Sequence, residues 1–384
     1  MERKRLHGVS AKDHRRTLTE TTTFMYILSV ESSCDETAVA VLRAEGDTLT
    51  ACADCIASQV DTHRLYGGVV PEIASRAHVE AISSLAEAAL LRANLTLDQI
   101  DLVAVTSHPG LIGALLVGVN FAKSLAVSRG IPLVGVDHIK GHIAAAYVAR
   151  EDGAPMPKPP FLALVLSGGH TSFFLCEDYH RHRLIGSTRD DAMGEAFDKV
   201  GRLLDLPYPA GAEMDRLASE GFAALSCDVI SYQHTAFARE PLYKLPAPDL
   251  LPENGSFDFS FSGPKTAAVN LMHRLSQKGE TVDRARFAAH VTSVMAEGIA
   301  RQTERVLDQY GRLPLVLAGG VAANTHLRAR LAHLCKQKGT SLILPPRALC
   351  GDNGTMIAAA GYYAYLAGER ADSALGASAS DTID

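Results

Sequence analysis

Two short units each occur twice along this chain of 384 residues. The first unit is an apolar strand, a polar or glycine-rich turn and a second strand, and it covers residues 26–42 and again residues 161–176. The second unit is a strand that runs through a glycine turn into a helical segment, and it starts at residue 101 and again at residue 314. Strands joined by short turns are typical of hairpins, and strands followed by helices are typical of α/β folds. The duplication therefore predicts two α/β lobes that face each other across a cleft.

The remaining segments are assigned relative to these two lobes. We expect residues 25–150 together with residues 351–370 to form the first lobe, and residues 151–350 to form the second. Residues 1–24 carry six Lys or Arg, three acidic residues and no apolar segment, which predicts a disordered extension or a start codon placed too far upstream. Residues 371–384 are rich in Ala, Ser and Asp and predict a disordered tail.

Inside the lobes, apolar spacing predicts a helix over residues 78–94. A second helix is predicted over residues 190–204, because two aspartates at its start favour a helix N-terminus. Residues 221–256 contain four prolines and predict an irregular insertion in the second lobe.

Composition restricts the class of protein. The formal net charge of −6 excludes a chain-wide basic field of the kind that dominates non-specific binding to nucleic acid. Seven scattered cysteines do not form a disulfide framework, so a reducing cytoplasm is expected. The longest strongly apolar run, residues 111–119, is half the length of a bilayer span, and no transmembrane helix is expected.

Glycine turns follow strands at three places, namely residues 167–170, 262–265 and 319–320. Backbone amides in such turns can converge on phosphate oxygens, because glycine lets a ligand approach the backbone closely. One turn alone is usually only a connector. Three turns, two of them in the duplicated units, favour a nucleotide in the cleft. The chain has neither a P-loop nor a Gly-x-Gly-x-x-Gly motif, which excludes those two ways of binding it.

Two histidines, His138 and His142, have the i, i+4 spacing that places both imidazoles on one helix face. A structural explanation remains open, because 15 histidines in 384 residues give about 0.6 such pairs by chance. The residue after His138 is Ile139 rather than glutamate, which argues against a zinc protease. Asp352, on a glycine-flanked turn, is the best candidate for a third metal ligand.

Acidic residues mark two further positions. Asp35 and Glu36 lie in the turn of the first hairpin. Three acids share one face of the predicted helix over residues 190–204, namely Asp191, Glu195 and Asp198. A charged helix face is usually only solvated. Alternatively, Asp198 together with Asp215 could hydrogen-bond the hydroxyls of a ribose.

Taken together, these motifs resemble the bacterial-type catalytic subunit of the tRNA N6-adenosine threonylcarbamoyltransferase family, formerly described as glycoprotein endopeptidases. The similarity extends from about residue 27 to residue 361. Seven ordered segments carry it, namely residues 31–38, 67–78, 138–142, 167–171, 194–199, 259–263 and 318–324. The resemblance implies the actin-like and sugar-kinase-like ATPase fold, an α/β fold of two duplicated lobes around a central cleft.

The resemblance also implies the site residues. His138, His142 and Asp352 correspond to the metal ligands of the family, which implies one divalent metal ion per subunit, iron ahead of zinc. The adenylate-binding positions of the family correspond to Leu166, Ser167, Gly168, Gly169, His170, Asp198, Gly211, Asp215 and Asn324. The first lobe would therefore carry the metal-binding helix, and the second lobe would carry the adenylate-binding loops.

The implied reaction transfers threonylcarbamoyl from threonylcarbamoyl-AMP to N6 of the adenosine at tRNA position 37, in tRNAs that read codons beginning with adenine. The exocyclic amine of adenine is a weak nucleophile, so a carboxylate of the first hairpin turn, Asp35 or Glu36, is expected to accept its proton. The expected partners are tRNA, a paralogous non-catalytic subunit, a small P-loop ATPase and the synthase that supplies the adenylate, with no membrane.

The sequence departs from the family pattern at a few positions. Lys140 lies between the two histidines where an acidic residue is common, and His108 precedes Pro109 where glycine is frequent. Ala210 stands where the family usually has a second glycine, and Gly351 precedes Asp352 where threonine is frequent. The alternative function is a nucleotide-binding regulatory or chaperone-like subunit of the same fold without transferase activity. The histidine pair argues against it, because phosphate-switch members of the fold need only magnesium. A third candidate function is that of a sugar or acetate kinase.

Overall fold

The computed structural model describes residues 24–235, 238, 244–250 and 256–380. The described part contains two five-stranded sheets, and each sheet belongs to one lobe. The strands of the first sheet are β1 (Phe24–Glu31), β2 (Glu36–Glu45), β3 (Thr48–Ser58), β4 (Leu102–His108) and β5 (Leu133–Asp137). The strands of the second sheet are β6 (Phe161–Leu166), β7 (Thr171–Cys176), β8 (His182–Ser187), β9 (Leu315–Ala318) and β10 (Leu342–Ile343).

The two sheets have the same topology, which explains the repeated units of the sequence. The strand order is β3-β2-β1-β4-β5 in the first sheet and β8-β7-β6-β9-β10 in the second. In each sheet the first three strands of that order pair antiparallel. The last two join the sheet in parallel. The two predicted hairpins are therefore confirmed as the pairs β1–β2 and β6–β7.

Ten α-helices cover the sheets in the described part of the chain. In the first lobe they are α1 (Val60–Arg64), α2 (Pro71–Arg92), α3 (Ile112–Arg129) and α4 (His138–Ala144). In the second lobe they are α5 (Met193–Leu203), α6 (Gly211–Ala224), α7 (Ser262–Gln277), α8 (Arg284–Tyr310) and α9 (Thr325–Lys338). The last helix, α10 (Gly354–Leu366), returns to the first lobe and packs on β1, β2 and β4.

The helices and sheets form layers. Helices α2 and α3 pack on one face of the first sheet, where a core cluster includes Ile82 and Val119. A second cluster contains residues of both sheets together with α4 and α10, for example Val136 and Val165. Helices α4 and α10 therefore lie between the two sheets and connect the lobes through one apolar core. The other face of the second sheet packs on α5 to α9.

Helix α3 alone among the described residues has the length and apolar composition of a membrane span. Such a helix is weak evidence, since core helices meet the same criteria. In this structure α3 packs against β4 and α2, and it ends at Gly130, whose positive φ of 65° allows the left-handed helix cap.

Several predicted boundaries differ from the structure. The helix predicted over residues 78–94 begins seven residues earlier, at Pro71, because proline is well suited to the first position of a helix. The helix predicted over residues 190–204 begins at Met193. Asp190 instead accepts hydrogen bonds from the backbone N–H groups of Phe261 and Ser262, at 2.7 and 3.1 Å, and so caps α7.

The predicted insertion and termini can be compared with the structure only in part. Within the range 221–256, α6 continues to Ala224, and a short 3-10 helix covers Tyr232–His234. Residues 236–237, 239–243 and 251–255 lie outside the described residues. Residues 1–23 of the predicted extension also lie outside them, and Phe24 is already the first residue of β1.

The prediction of a disordered tail is wrong for residues 371–380. The backbone N–H of Ala371 donates to Leu133, and that of Ser378 donates to Ser107, at 2.8 and 2.9 Å. Leu375 adds an apolar contact to the core of the first lobe. A few apolar side chains and backbone hydrogen bonds thus order a segment whose composition is mostly small and polar.

Candidate active site

Helix α4 begins directly after β5 because Asp137 caps it. The Asp137 side chain accepts hydrogen bonds from the backbone N–H groups of Ile139 and Lys140, at 2.7 and 3.3 Å. The cap fixes the first turn of the helix, so that His138 and His142 lie on one face, as predicted. Their imidazoles are 6 % and 1 % exposed. The two rings are 4.6 Å apart, edge to face.

Asp352 lies beside this pair, on the turn before α10. Asn353 caps the helix by accepting from the backbone N–H of Met356 at 2.8 Å. A carboxylate from β3, Asp54, also accepts from the N–H and the hydroxyl of Thr355, at 3.0 and 2.6 Å. These contacts fix the turn, and an oxygen of Asp352 lies 3.5 Å from Nε2 of His138 and 3.4 Å from Nε2 of His142.

The three side chains fit a divalent metal ion. One ligand atom of each lies within 4.8 Å of the others. Ligands about 2.0–2.2 Å from a metal ion are themselves about 3–3.5 Å apart, close to the separations found here. Both ring nitrogens of His142 are buried and have no hydrogen-bond partner among the described residues. Burial and the charge of His138 hold the pKa of His142 well below its usual value, which favours the neutral imidazole that binds metals.

Glu31, the last residue of β1, orients His138 and was not predicted. Its carboxylate is fully buried and lies 3.0 Å from Nδ1 of His138. It also accepts hydrogen bonds from the hydroxyl of Thr106 and the backbone N–H of Ser33, at 2.6 and 2.5 Å. Burial alone would raise the pKa of Glu31, but the charge of His138 and these hydrogen bonds lower it to about 2. A carboxylate on Nδ1 directs Nε2 of His138 toward Asp352, as in many metal sites.

The first hairpin contributes the two predicted carboxylates: Asp35 lies in its turn, whereas Glu36 is the first residue of β2 rather than a turn residue as predicted. Asp35 is 8 % exposed, and its charge affects the pKa values of both Asp352 and Asp198. It therefore lies near Asp352 of the first lobe and Asp198 of the second. Glu36 accepts a hydrogen bond from the hydroxyl of Ser58, at 3.1 Å, on the neighbouring strand. Burial, with the charges of Asp352 and Asp35, raises the pKa of Glu36 to about 9.

The turn of the second hairpin is open. Leu166 ends β6 in the core, and the next residue, Ser167, is also buried. The turn is closed by the N–H of Ser167 bonding to His170 and by the Ser167 hydroxyl accepting from the N–H of His170. Gly168 and Gly169 are exposed, and a Cβ at either position would have no atom within 4 Å. The space over these glycines can accommodate a ligand.

The other predicted adenylate residues either lie at helix starts, as Gly211 and Asn324 do, or bond to the backbone there. Asp198 accepts from the backbone N–H of Ala210 at 2.7 Å, directly before α6, and Gly211 has open space around its Cβ position. Asp215 accepts from the N–H of Thr325 at 3.0 Å, and Asn324 accepts from that of Leu327 at 2.8 Å. These side chains therefore already accept hydrogen bonds from backbone N–H groups. Each carboxylate still has lone pairs that can accept hydrogen bonds from a ligand.

The remaining predicted acids belong to an ion-pair cluster. Lys199 contacts Asp191 and Glu195, at 2.8 and 2.7 Å. Lys265 also pairs with Asp191. Asp191 thus joins α5 to α7, which supports the structural explanation for these two acids rather than a ligand site.

The fold places the chain in a class of protein. Two α/β lobes whose five-stranded sheets have equal topology define a protein of the actin-like and sugar-kinase-like fold. Solved structures agree on the fold. The chain matches a HypF in a phosphate- and nucleotide-bound form with a TM-score of 0.55, at 14% identity, covering 93% of this chain and 47% of that one. It matches the HypF of T. kodakarensis with a TM-score of 0.57, at 13% identity, covering 90% and 48%.

Sequence comparisons identify the family. A family model described as tRNA N6-adenosine threonylcarbamoyltransferase matches residues 50–359. The enzyme of that name from Geobacillus thermodenitrificans is 47% identical over 354 residues, covering 92% of this chain and 95% of the relative. One from Bacillus cereus is 46% identical over 352 residues, covering 91% and 94%. The chain therefore belongs to the tRNA N6-adenosine threonylcarbamoyltransferase family, which confirms the resemblance. These names agree with the transferase prediction and not with the regulatory or chaperone-like alternative.

Proposed function

We propose that this chain transfers the threonylcarbamoyl group of threonylcarbamoyl-AMP to N6 of the adenosine next to the anticodon of tRNA. The observation that carries the proposal is the His138, His142 and Asp352 group beside an open glycine turn, in a chain of this family. In the reaction, N6 attacks the carbamoyl carbon, the bond from that carbon to the phosphate oxygen breaks, and AMP leaves. N6 loses one proton.

The glycine turn at residues 167–170 is proposed to hold the phosphate of the donor. Its exposed glycines let backbone amides approach an anion closely. Asp198 and Asp215 are proposed to accept hydrogen bonds from the ribose with the lone pairs that their helix caps leave free. Holding the donor on fixed backbone provides the proximity that a weak nucleophile needs.

One divalent metal ion is proposed to bind His138, His142 and Asp352, with iron ahead of zinc. When bound, the ion would stabilise negative charge on the departing phosphate. Glu31 holds the ring of His138 through Nδ1, so the ligand atom Nε2 is oriented before the ion arrives. Metal analysis of the purified protein tests this assignment, and His142→Ala should contain less bound metal than the wild type.

Asp35 is proposed to accept the proton from N6. It lies close enough to Asp352 and Asp198 for its charge to affect their pKa values. Glu36 is less suited to this role, because burial and the charges of Asp352 and Asp35 raise its pKa to about 9, which favours the protonated form that cannot accept a proton.

Partners are proposed from the charge of the chain. A net charge of −6 offers little sequence-independent attraction to RNA phosphates. We therefore expect productive tRNA binding to need a partner that completes a basic surface. The resemblance to the family implies which proteins take part: a paralogous non-catalytic subunit and a small P-loop ATPase, with a separate synthase that supplies the adenylate. The expected location is the cytoplasm.

Mass spectrometry of the nucleosides of total tRNA, after depletion of this protein, tests the function. Threonylcarbamoyladenosine should disappear and should return when the wild-type chain is supplied again. His142→Ala should not restore it, whereas His273→Ala, which changes an exposed histidine on α7, should restore it fully. Unchanged modification after depletion would reject the proposal.

A further inference from the structure

A second cavity lies next to the candidate active site. It has a volume of about 900 Å³ and lies between β5, α4 and α10 of the first lobe and the β7–β8 hairpin of the second. Of the predicted adenylate residues, only Gly169 and His170 line it. None of the three candidate metal ligands, His138, His142 and Asp352, does so. We call this space the side cavity. It shares α4 and the 167–170 turn with the active site but is a separate volume.

Two cations line the side cavity without strong partners. Lys140 is on α4, half-buried, and no carboxylate of the described residues lies within 4.0 Å of its ammonium group. Arg183, on β8, has a distant contact of 3.7 Å with Glu177, and both side chains are about half exposed. Exposed pairs of this kind contribute little stability, so the guanidinium of Arg183 is free to bind another anion.

The acids that line the side cavity are already engaged. Glu369 contacts Nε2 of His180 at 2.9 Å, and Asp137 caps α4 through one oxygen while its other oxygen lies 3.9 Å from Nε2 of His108. Each acid therefore faces a histidine. Lys140 and Arg183 are the groups left available for an incoming anion.

Aromatic rings line the same space. Phe174, on β7, and Tyr179, in the turn after it, both border the side cavity. The ring of Tyr179 is held by Tyr363 at 4.6 Å and by Tyr147 at 5.2 Å. A fixed aromatic ring beside weakly paired cations is a combination that binds unpaired nucleotides, because bases stack on the rings and phosphates pair with the cations.

We propose that the side cavity binds the single-stranded RNA adjacent to the target adenosine, with Lys140 and Arg183 on phosphates and Phe174 or Tyr179 against a base. The volume of about 900 Å³ is far larger than a threonyl group needs and lies near the top of the roughly 300–1,000 Å³ of small-molecule sites. The side cavity adjoins the candidate active site, because α4 and the 167–170 turn border both. The inference rests on the proposed function and adds the route by which the RNA enters.

The test compares two double variants of the full chain, assembled with the partners that activity requires. Lys140→Ala/Arg183→Ala removes the cations of the side cavity, and Lys278→Ala/Lys336→Ala removes two exposed lysines elsewhere. With unmodified tRNA, we expect the first variant to raise KM for tRNA about tenfold and to leave KM for the adenylate unchanged. The salt slope of tRNA binding should fall by about 1.4, because each phosphate contact on a single strand contributes about 0.7.

A third variant separates stacking from charge. Phe174→Leu keeps an apolar side chain but removes the ring, so KM for tRNA should rise several-fold with no change in salt slope. Thermal unfolding of each variant shows whether the fold is retained. Behaviour of Lys140→Ala/Arg183→Ala equal to that of the lysine control would overturn the inference, and so would a rise in KM for the adenylate alone.

Binding of the same tRNA without donor distinguishes the inference from the proposed reaction. If the wild-type assembly binds tRNA but transfers nothing, the proposed reaction fails. Loss of that binding in Lys140→Ala/Arg183→Ala would still support the side cavity as an RNA site, and unchanged binding would reject it.

Discussion

The turns of the two hairpins have the same place in their lobes but different surroundings. In the first lobe the turn at residues 32–35 is packed: Ser32 is fully buried and Ser33 is 2 % exposed. In the second lobe the turn at residues 167–170 exposes both of its glycines. The same backbone unit therefore packs against protein in the first lobe, whereas in the second lobe it leaves space for a ligand.

The first turn holds two helices of its own lobe. The hydroxyl of Ser32 donates to Ala114 on α3 at 3.0 Å, and the carbonyl of Ser33 accepts from the N–H of Leu111 at 2.8 Å. The hydroxyl of Ser33 is 3.1 Å from Nδ1 of His138 on α4. A displacement of this turn would therefore also displace His138, one of the three candidate metal ligands.

The second turn holds α5 through backbone alone. The carbonyls of Ser167 and Gly168 accept from the N–H groups of Gly194 and Glu195, at 3.3 and 3.1 Å. A Cβ on Gly194 would lie 2.6 Å from the carbonyl oxygen of Ser167, so glycine is needed for this approach. The side of the turn that faces away from α5 remains open, because these hydrogen bonds all lie on the side that faces α5.

The largest effect is expected where the first hairpin meets the metal-type group. Glu31→Gln keeps the size of the side chain but removes the charge that orients His138, so metal affinity should fall by up to about 100-fold. Titration with a divalent metal ion measures it. Glu72→Gln changes a glutamate whose side chain is 77% exposed and should behave as wild type. If Glu31→Gln binds metal as tightly as the wild type, the first hairpin does not orient the His138, His142 and Asp352 group.

The packing of the first turn can be probed at Gly110. A Cβ there would lie 2.6 Å from the carbonyl oxygen of Ser33, so Gly110→Ala should lower the free energy of unfolding by about 2 kcal/mol. Denaturant unfolding measures the change. In Gly68→Ala the new methyl group meets no atom within 4 Å, so little change is expected. Equal stability of the two variants would show that the first turn is not packed as tightly as described.

The openness of the second turn can be probed at Gly169. Gly169→Val places a branched side chain where the donor phosphate is proposed to lie, and affinity for AMP should fall about tenfold, or ~1.4 kcal/mol. The unfolding temperature should not change, because the side chain enters open space. Gly68→Val is the matched control. Full affinity for AMP in calorimetric titration would show that the nucleotide binds elsewhere.

The smallest expected effect is a loss of stability at acidic pH that depends on His78. His78 is fully buried behind the first turn, with Nδ1 2.7 Å from the hydroxyl of Thr37 and Nε2 3.0 Å from the carbonyl oxygen of Cys34. Burial lowers the pKa of His78, although the hydrogen bond to Cys34 and nearby acids oppose the shift. The unfolded chain therefore takes up a proton first as the pH falls.

Stability that depends on neutral His78 is present above about pH 6.5 and is lost as the pH falls below it. From pH 7 to pH 6 the loss is at most about 0.7 kcal/mol. Denaturant unfolding at several pH values should show a smaller loss in His78→Gln than in the wild type. An identical pH dependence in the two proteins would mean that His78 has the same pKa in the folded and in the unfolded chain, contrary to the expected lowering.

The sequence was sufficient for features that depend on local order. The hairpins, the helix that carries His138 and His142, and the turn that carries Asp352 all follow from short-range patterns. Glu31 escaped prediction because it ends an apolar strand, and only the pairing of that strand with β4 brings it beside Thr106. Long-range pairing of this kind leaves no periodic signal in the sequence.

Helix caps supplied from a distance were missed for the same reason. Asp190 was expected to start its own helix but caps α7, which lies about 70 residues further along the chain. Asp54 supports the start of α10 from β3. The side cavity also depends on elements from both lobes, so no single segment could have indicated it.

The return of α10 to the first lobe has a consequence for folding during synthesis. Ser29, on the first strand of the described residues, donates its hydroxyl to the carbonyl of Gly354 at 2.6 Å, and a Cβ on Gly354 would collide with Ala40. The first sheet therefore emerges from the ribosome with one face uncovered, and it stays so while the entire second lobe is translated. Contacts between residues so distant in sequence form slowly, because a long loop must close before they can form. The nascent chain thus carries an exposed apolar sheet for most of its synthesis, and the His138, His142 and Asp352 group is completed only at the end.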